Sequence, residues 1–142
     1  MSSLQRFHQA QGHGPSSIYA AALAELRRGR KQGHWIWFVI PQLQGLGHSS
    51  ECVEFGLADL EEARLYLADR LLSARLEEIY AVIGAQLQQP GQTLQQLMGT
   101  PLDATKTVSS VTLFSVAGSA AASSLQQQLG LSCDRTLALL QR

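Results

Sequence analysis

The sequence predicts a mainly α-helical fold, a compact single domain of about six to eight helices with room for one short strand pair. Apolar residues recur at three- and four-residue steps along most of the chain, which is the spacing of one face of an α-helix. Helix-capping residues precede several of these stripes, and glycine or proline follows them. A length of 142 residues is a common size for one domain, so we expect a single globular domain over residues 1–142.

Two helices are predicted at the N-terminus. Ser2 or Ser3 can cap the first helix, which stops at the glycine and proline residues of segment 12–15. The second helix starts directly after this break and ends near Gly29, because glycine suits a helix C-terminus. Its apolar stripe consists of Tyr19, Ala22, Leu23 and Leu26.

The middle of the chain predicts two longer helices. Asp59 and Glu62 resemble a capping box at the start of the first of them. The second carries the apolar stripe of residues 72–83 and should end near Pro90. The glutamine-rich segment 86–96 is interpreted as an exposed connection with one short helix.

The C-terminal third predicts three helical segments. The first covers residues 103–114, the second is rich in alanine and serine and ends near Leu129, and Asp134 caps a final turn. Because residues 108–114 contain several β-branched side chains, a short strand is an alternative there.

Composition argues against several classes of protein. Eleven basic and eleven acidic side chains give a formal net charge of zero, so neither nucleic acid nor a membrane is expected as a partner. Cys52 and Cys133 lack the spacing of a zinc site and are interpreted as reduced structural thiols. The longest apolar run, residues 35–41, is too short to cross a bilayer, and no signal peptide is recognised. We therefore expect a soluble cytoplasmic protein without a metal or cofactor, and the oligomeric state stays open.

Segment 31–49 (KQGHWIWFVIPQLQGLGHS) holds both tryptophans and is the predicted site. Each large aromatic side chain buries roughly 150–250 Å², so this segment should enter a core or line a pocket. His34 is the candidate catalytic residue because imidazole can act as a general base near neutral pH, although a hydrogen-bonded core histidine is the favoured interpretation. The Gln42 amide can recognise a ligand or hold a loop backbone, and both remain open.

Glycines and hydroxyls beside this segment suggest further ligand contacts. Gly45 and Gly47 can let the backbone approach a ligand, but the third glycine of a dinucleotide fingerprint is missing. Ser49 stands at the predicted start of a helix that continues through Phe55, where an anion can bind.

Cations and carboxylates elsewhere supply additional candidates. Lys106, Ser109 and Thr112 would share a helix face suited to phosphate or ribose, but a solvated face with hydroxyls bonded to the preceding turn is slightly favoured. The basic run that includes Lys31 is interpreted mainly as a solvated helix end. The carboxylates considered for chemistry are Glu25, Glu51, Glu54 and Asp103.

The order of motifs along the chain resembles that of a known family. The most specific motif is HWIWFVIPQLQGLGHS at residues 34–49. The other motifs are RF and AQ within residues 6–11, Y..AL.EL..G.K at 19–31, LEEA..YL at 60–67, LLSARL at 71–76, K..SS.TLF at 106–114 and the segment 134–140. Together they resemble the small, mainly bacterial proteins of domain-of-unknown-function family 1810. The resemblance implies a compact, mainly helical single domain and no established activity.

Three functions follow from these features. The favoured one is binding of a small nucleotide-like or phosphorylated ligand in a pocket built on segment 31–49. One alternative is a hydrolase of nucleotide-derived glycosidic or phosphate-ester substrates, and a further alternative is a structural or protein-interaction domain. Whether the protein is an enzyme stays open. The predicted ligand-binding residues are Lys31, His34, Trp35, Trp37, Gln42, Gly45, Gly47, Ser49 and Lys106.

Overall fold

Ten α-helices make up the part of the chain that the computed structural model describes, residues 4–141. They are α1 (Gln5–Gln11), α2 (Ile18–Arg27), α3 (Ile36–Val39), α4 (Ser50–Phe55), α5 (Leu60–Ala68), α6 (Arg70–Leu87), α7 (Leu94–Met98), α8 (Pro101–Ala117), α9 (Ala120–Leu129) and α10 (Asp134–Leu140). The mainly α-helical fold is confirmed. Ser2 and Ser3, the predicted caps of the first helix, lie outside the described residues.

The helix count exceeds the predicted six to eight because three helices are very short. α3, α4 and α7 have four, six and five residues. A segment of one or two turns is too short to show a three- to four-residue apolar repeat. α7 is the short helix expected within the glutamine-rich segment, and it begins with a capping box formed by Thr93 and Gln96.

Residues 108–114, where the sequence also allows a short strand, lie inside α8. Thr107 and Thr112 fit this helix because each hydroxyl donates a hydrogen bond of 2.8 Å to the carbonyl oxygen four residues earlier. Packing thus overrides the β-branched propensity: the predicted helix is present, and the alternative of a short strand is wrong. Within residues 4–141 the only β-type pairing is an isolated parallel bridge between Leu43 and Leu57.

α8 is the central helix of the fold. It packs against α3, α5, α7, α9 and α10, and residues 109–114 are all buried. A helix that is buried on every side belongs to the core of a globular protein. The Phe114 ring of α8 lies 5.2 Å from the Tyr66 ring of α5, which in turn lies 5.2 Å from Phe7 of α1, measured between ring centroids. The Tyr80 hydroxyl of α6 is 2.7 Å from the Ser110 hydroxyl.

Gln11, the last residue of α1, joins four helices through one buried side chain. Its amide nitrogen donates to the Phe38 carbonyl oxygen at 2.7 Å and to the Tyr66 hydroxyl at 3.1 Å. Its amide oxygen accepts a hydrogen bond of 3.1 Å from the Arg75 guanidinium. These bonds tie α1 to α3, α5 and α6, and they fix the position of the tryptophan-bearing helix α3.

Within residues 4–141, none of the helices combines the length and the apolar character needed to cross a membrane.

Replacement of Gln11 by leucine should destabilise the protein by about 3 kcal/mol, because a buried carbonyl and a guanidinium lose partners at about 1–3 kcal/mol each. Gln9 is exposed on the same helix and is the matched control. Gln9→Leu should change the free energy of unfolding by less than about 0.5 kcal/mol. Urea unfolding followed by circular dichroism measures both variants, and equal stabilities would contradict the role assigned to Gln11.

Candidate functional site

The two tryptophans of segment 31–49 point into different environments. Trp35 is fully buried, and α3 carries three further core side chains, Ile36, Phe38 and Val39. Trp37 is only partly buried and packs at the edge of this core. Most of the segment's aromatic area therefore enters the core, and Trp37 is the tryptophan that faces the surface.

Glu25 of α2 holds the loop before α3 in place. Its Oε1 atom accepts hydrogen bonds from the backbone N–H of Gln32 and Gly33, each at 2.8 Å, and from Trp35 Nε1 at 2.9 Å. Burial raises the pKa of Glu25, but these three bonds and the positive charge of Lys31 outweigh this effect and hold the pKa below its ordinary value. The indole of Trp35 is thus a fully paired structural group.

A row of alternating charges connects the two tryptophans. Lys31 Nζ lies 2.8 Å from Asp103 Oδ2, and Lys106 Nζ lies 3.6 Å from Asp103 Oδ1. The Lys31 ammonium is 5.2 Å from the centre of the Trp35 ring, and the Lys106 ammonium is 5.0 Å from the centre of the Trp37 ring. We call these five residues the tryptophan–lysine cluster.

The two lysines of this cluster differ in how completely they are paired. Lys31 is buried, and besides Asp103 its ammonium donates to the Gly33 carbonyl oxygen at 2.6 Å. The Lys106 ammonium lies too far from Asp103 to donate an ordinary hydrogen bond to its carboxylate, although their charges still attract. Lys106 therefore keeps donor capacity that Lys31 has already used.

One buried polar group of segment 31–49 has no partner among residues 4–141. Trp37 Nε1 is buried and donates no hydrogen bond there. The Gln42 side chain is 9% exposed and makes no side-chain hydrogen bond to a described residue, but its amide is not fully buried. A buried donor without an acceptor costs about 1–3 kcal/mol, so Trp37 Nε1 calls for an explanation beyond folding.

His34, the candidate catalytic residue, is exposed, and its ring is not hydrogen bonded to any residue from 4 to 141. The interpretation as a hydrogen-bonded core histidine is therefore wrong. The neighbouring Trp35 supplies the buried side chain of this turn, whereas His34 faces solvent.

Gly45, Gly47 and Ser49 have structural contacts away from the cluster. Gly45 has a φ of +98°, which favours glycine, and a β-carbon built on it would lie 3.8 Å from Leu139 Cδ1. A β-carbon on Gly47 would come within 2.7 Å of Cys52 Sγ. Ser49 Oγ caps α4 by accepting the Cys52 N–H at 3.2 Å.

Ser109 and Thr112 do not join Lys106 in a binding face. Both are buried, and their hydroxyls donate to carbonyl oxygens of the preceding turn, at Thr105 and Val108. The alternative of back-bonded hydroxyls is correct, but their face of α8 is buried and not solvated. Thr112 Oγ1 also accepts the Cys133 N–H at 2.9 Å.

Asp103 and Glu25 take central roles that the sequence did not assign to them. The three-residue spacing of Asp103 and Lys106 on one helix was a usable signal. The contacts of Glu25 depend on how the loop before α3 folds, and no sequence pattern indicates them.

The cavities on the described part of the protein include four with volumes of about 710, 450, 340 and 530 Å³. None of these four is lined by any of the nine predicted ligand-binding residues. Across residues 4–141, no group of three histidine, cysteine or carboxylate side chains is placed to hold a metal ion. The tryptophan–lysine cluster thus lies outside these cavities, with Lys31 and Trp35 buried and its other three residues partly exposed.

Comparisons with known proteins decide the family. A profile described as "Protein of unknown function (DUF1810)" matches residues 1–139. The chain belongs to the DUF1810 family. It is also similar to the crystal structure of the conserved hypothetical protein Rv1873 from Mycobacterium tuberculosis, with a TM-score of 0.86 and 40% identity over 98% of this chain and 96% of that chain. No curated protein gives a significant match. The resemblance to DUF1810 and the fold expected from it are confirmed.

Replacement of Glu25 by glutamine should flatten the acid dependence of stability in this DUF1810 protein. Because the folded-state pKa is lowered, Glu25 contributes stability that is present above its unfolded pKa of about 4.3 and is lost as the pH falls through the folded value. The wild type should therefore lose more stability than Glu25→Gln between about pH 5 and pH 3. Glu77, an exposed carboxylate on α6, provides the control Glu77→Gln, and urea titrations at each pH give the slopes. Parallel curves for wild type and Glu25→Gln would contradict the assignment.

Proposed function

We propose that this protein binds a small anionic ligand, nucleotide-like or phosphorylated, at the outer end of the tryptophan–lysine cluster. Trp37 and Lys106 would make the principal contacts. The observation that carries this proposal is the buried Trp37 Nε1 donor, which has no acceptor among residues 4–141 and belongs to the ring that Lys106 overlies.

The donor groups at this end of the cluster favour an acceptor-rich ligand. Lys31 and Asp103 neutralise each other at 2.8 Å, which leaves Lys106 as the cation available to a ligand. A phosphate or carboxylate oxygen can accept from both the indole N–H and the ammonium, and hydrogen bonds that involve charged groups are about twice as strong as neutral ones.

The partly exposed indole of Trp37 supports a ligand that also has a planar part. An indole presents a large apolar face and a polar edge, so it can stack on a base while its N–H donates a hydrogen bond. Trp37 Nε1 is shielded from solvent, so binding requires a local side-chain movement. Lys106 is a long, flexible side chain over the same ring and can supply that movement.

The hydrolase alternative receives no specific support from this geometry. Asp103 is engaged by two lysines, and the exposed His34 makes no side-chain hydrogen bond among residues 4–141. We therefore propose ligand binding without turnover.

Thermal-shift measurements with adenosine monophosphate, ADP-ribose, glucose 6-phosphate and inorganic phosphate test the proposal. A ligand at 100 times its Kd should stabilise the wild type by roughly 2.7 kcal/mol. Trp37→Phe removes the N–H donor and Lys106→Met removes the cation, so both variants should lose most of the shift. Without ligand, Trp37→Phe should be close to neutral in stability, because removal of the unpaired donor offsets the apolar area lost with the smaller ring.

Arg64→Met, which removes an exposed cation on α5, is the matched control and should keep the full shift. No shift with any of the four compounds in the wild type, or an undiminished shift in both site variants, would contradict the proposal.

A further inference from the structure

The largest of these four cavities is an open groove between α1, α4 and α5, with a volume of about 710 Å³. Two large apolar side chains stand exposed in it, Val53 at 59% and Leu65 at 45%. Three exposed carboxylates, Glu54, Asp59 and Glu61, share the same lining. The groove therefore combines apolar surface with negative charge.

A paired arginine and glutamate belong to the lining of this groove. Arg6 donates to the carbonyl oxygen of Glu54 at 2.9 Å and to the Glu62 carboxylate at 2.9 Å. Glu62 is buried, and it also accepts the Ala58 N–H at 3.0 Å. The charges of Arg6 and Glu62 thus offset each other, and this pair contributes no net charge to the groove.

The exposed carboxylates are the source of the groove's unbalanced charge. Within residues 4–141, no cation forms an ion pair with Glu54, Asp59 or Glu61. Asp59 uses one oxygen to cap α5, where Oδ1 accepts the Glu62 N–H at 2.8 Å. Close like charges repel one another, so a cationic partner would relieve this repulsion while it covered the apolar side chains.

We propose that this groove is a docking surface for a cationic peptide segment that alternates basic and apolar side chains. The apolar residues of the segment would cover Val53 and Leu65, and its lysines or arginines would pair with Glu54, Asp59 and Glu61. The proposal is independent of the ligand site at Trp37 and Lys106, because the groove is lined by neither residue.

Fluorescence polarisation with a labelled peptide of alternating lysine and leucine tests the docking surface. The wild type should bind this peptide, and the affinity should fall with added salt. The double variants Glu54→Lys/Glu61→Lys and Val53→Ser/Leu65→Ser should each weaken binding by about tenfold or more. All four residues are exposed, so these changes should leave the fold intact, and circular dichroism and thermal unfolding verify this point.

Matched controls lie outside the groove. Glu77→Lys and Leu102→Ser change an exposed carboxylate and an exposed apolar side chain elsewhere, and both should retain wild-type affinity. A peptide in which serine replaces leucine should bind about tenfold more weakly than the leucine peptide. Trp37→Phe should not change peptide binding, which separates this test from that of the proposed ligand site.

Several outcomes would overturn the docking surface. These are no binding by the wild type, equal binding by the groove variants, or binding of the serine peptide as tight as that of the leucine peptide. Sedimentation that shows wild-type self-association, lost in the groove variants, would also overturn it, because a second copy of the chain would then be the occupant.

Discussion

The buried amide of Gln11 is the interaction on which the arrangement around α3 depends. A four-residue helix has few internal hydrogen bonds and is not stable by itself, so its position must come from tertiary contacts. Gln11 provides such a contact by donating to the Phe38 carbonyl oxygen near the end of α3, while its amide oxygen accepts from Arg75 of α6. Because both ends of the amide are engaged, the position of α3 is fixed, with Trp35 in the core and Trp37 at its edge.

The other end of the tryptophan segment is held by electrostatics. Lys31 lies before α3 and Asp103 lies in the first turn of α8, so their 2.8 Å ion pair connects the segment to the central helix. Transfer of a charged group from water into the protein interior costs several kcal/mol unless the group is paired and hydrogen bonded. Lys31 is paired with Asp103 and hydrogen bonded to the Gly33 carbonyl oxygen. Lys106, one helical turn after Asp103, is left only partly paired. The contacts that hold the fold together thus explain Lys31 and Asp103, but they do not explain the Lys106 ammonium over Trp37.

The sequence predicted the fold class and the longer helices because periodicity, caps and glycine stops are local signals. It placed Lys31, Trp35, Trp37 and Lys106 among the site residues, and the structure connects these four in one network. It could not predict that the connection runs through Asp103, since Lys31 and Asp103 are brought together only by tertiary folding. The solvent exposure of His34 likewise depends on backbone direction in a short loop, which composition does not determine.

A formal charge of zero describes this protein poorly, because its charges are distributed unevenly. Several of these charges form buried or half-buried ion pairs that connect secondary-structure elements, such as Arg6 with Glu62 and Lys31 with Asp103. The charges that remain at the surface of residues 4–141 are local. Carboxylates without an ion-pair partner in this range lie beside exposed apolar side chains in one groove, and a partly paired ammonium lies over an indole without an acceptor at another site. Because salt screens exposed charges beyond roughly 8–10 Å, a partner responds to these local sets and not to their sum. The net charge of zero therefore argues only against recognition of a partner through a long-range electrostatic field. It is consistent with short-range recognition of an anion at one site and of a cationic segment at another.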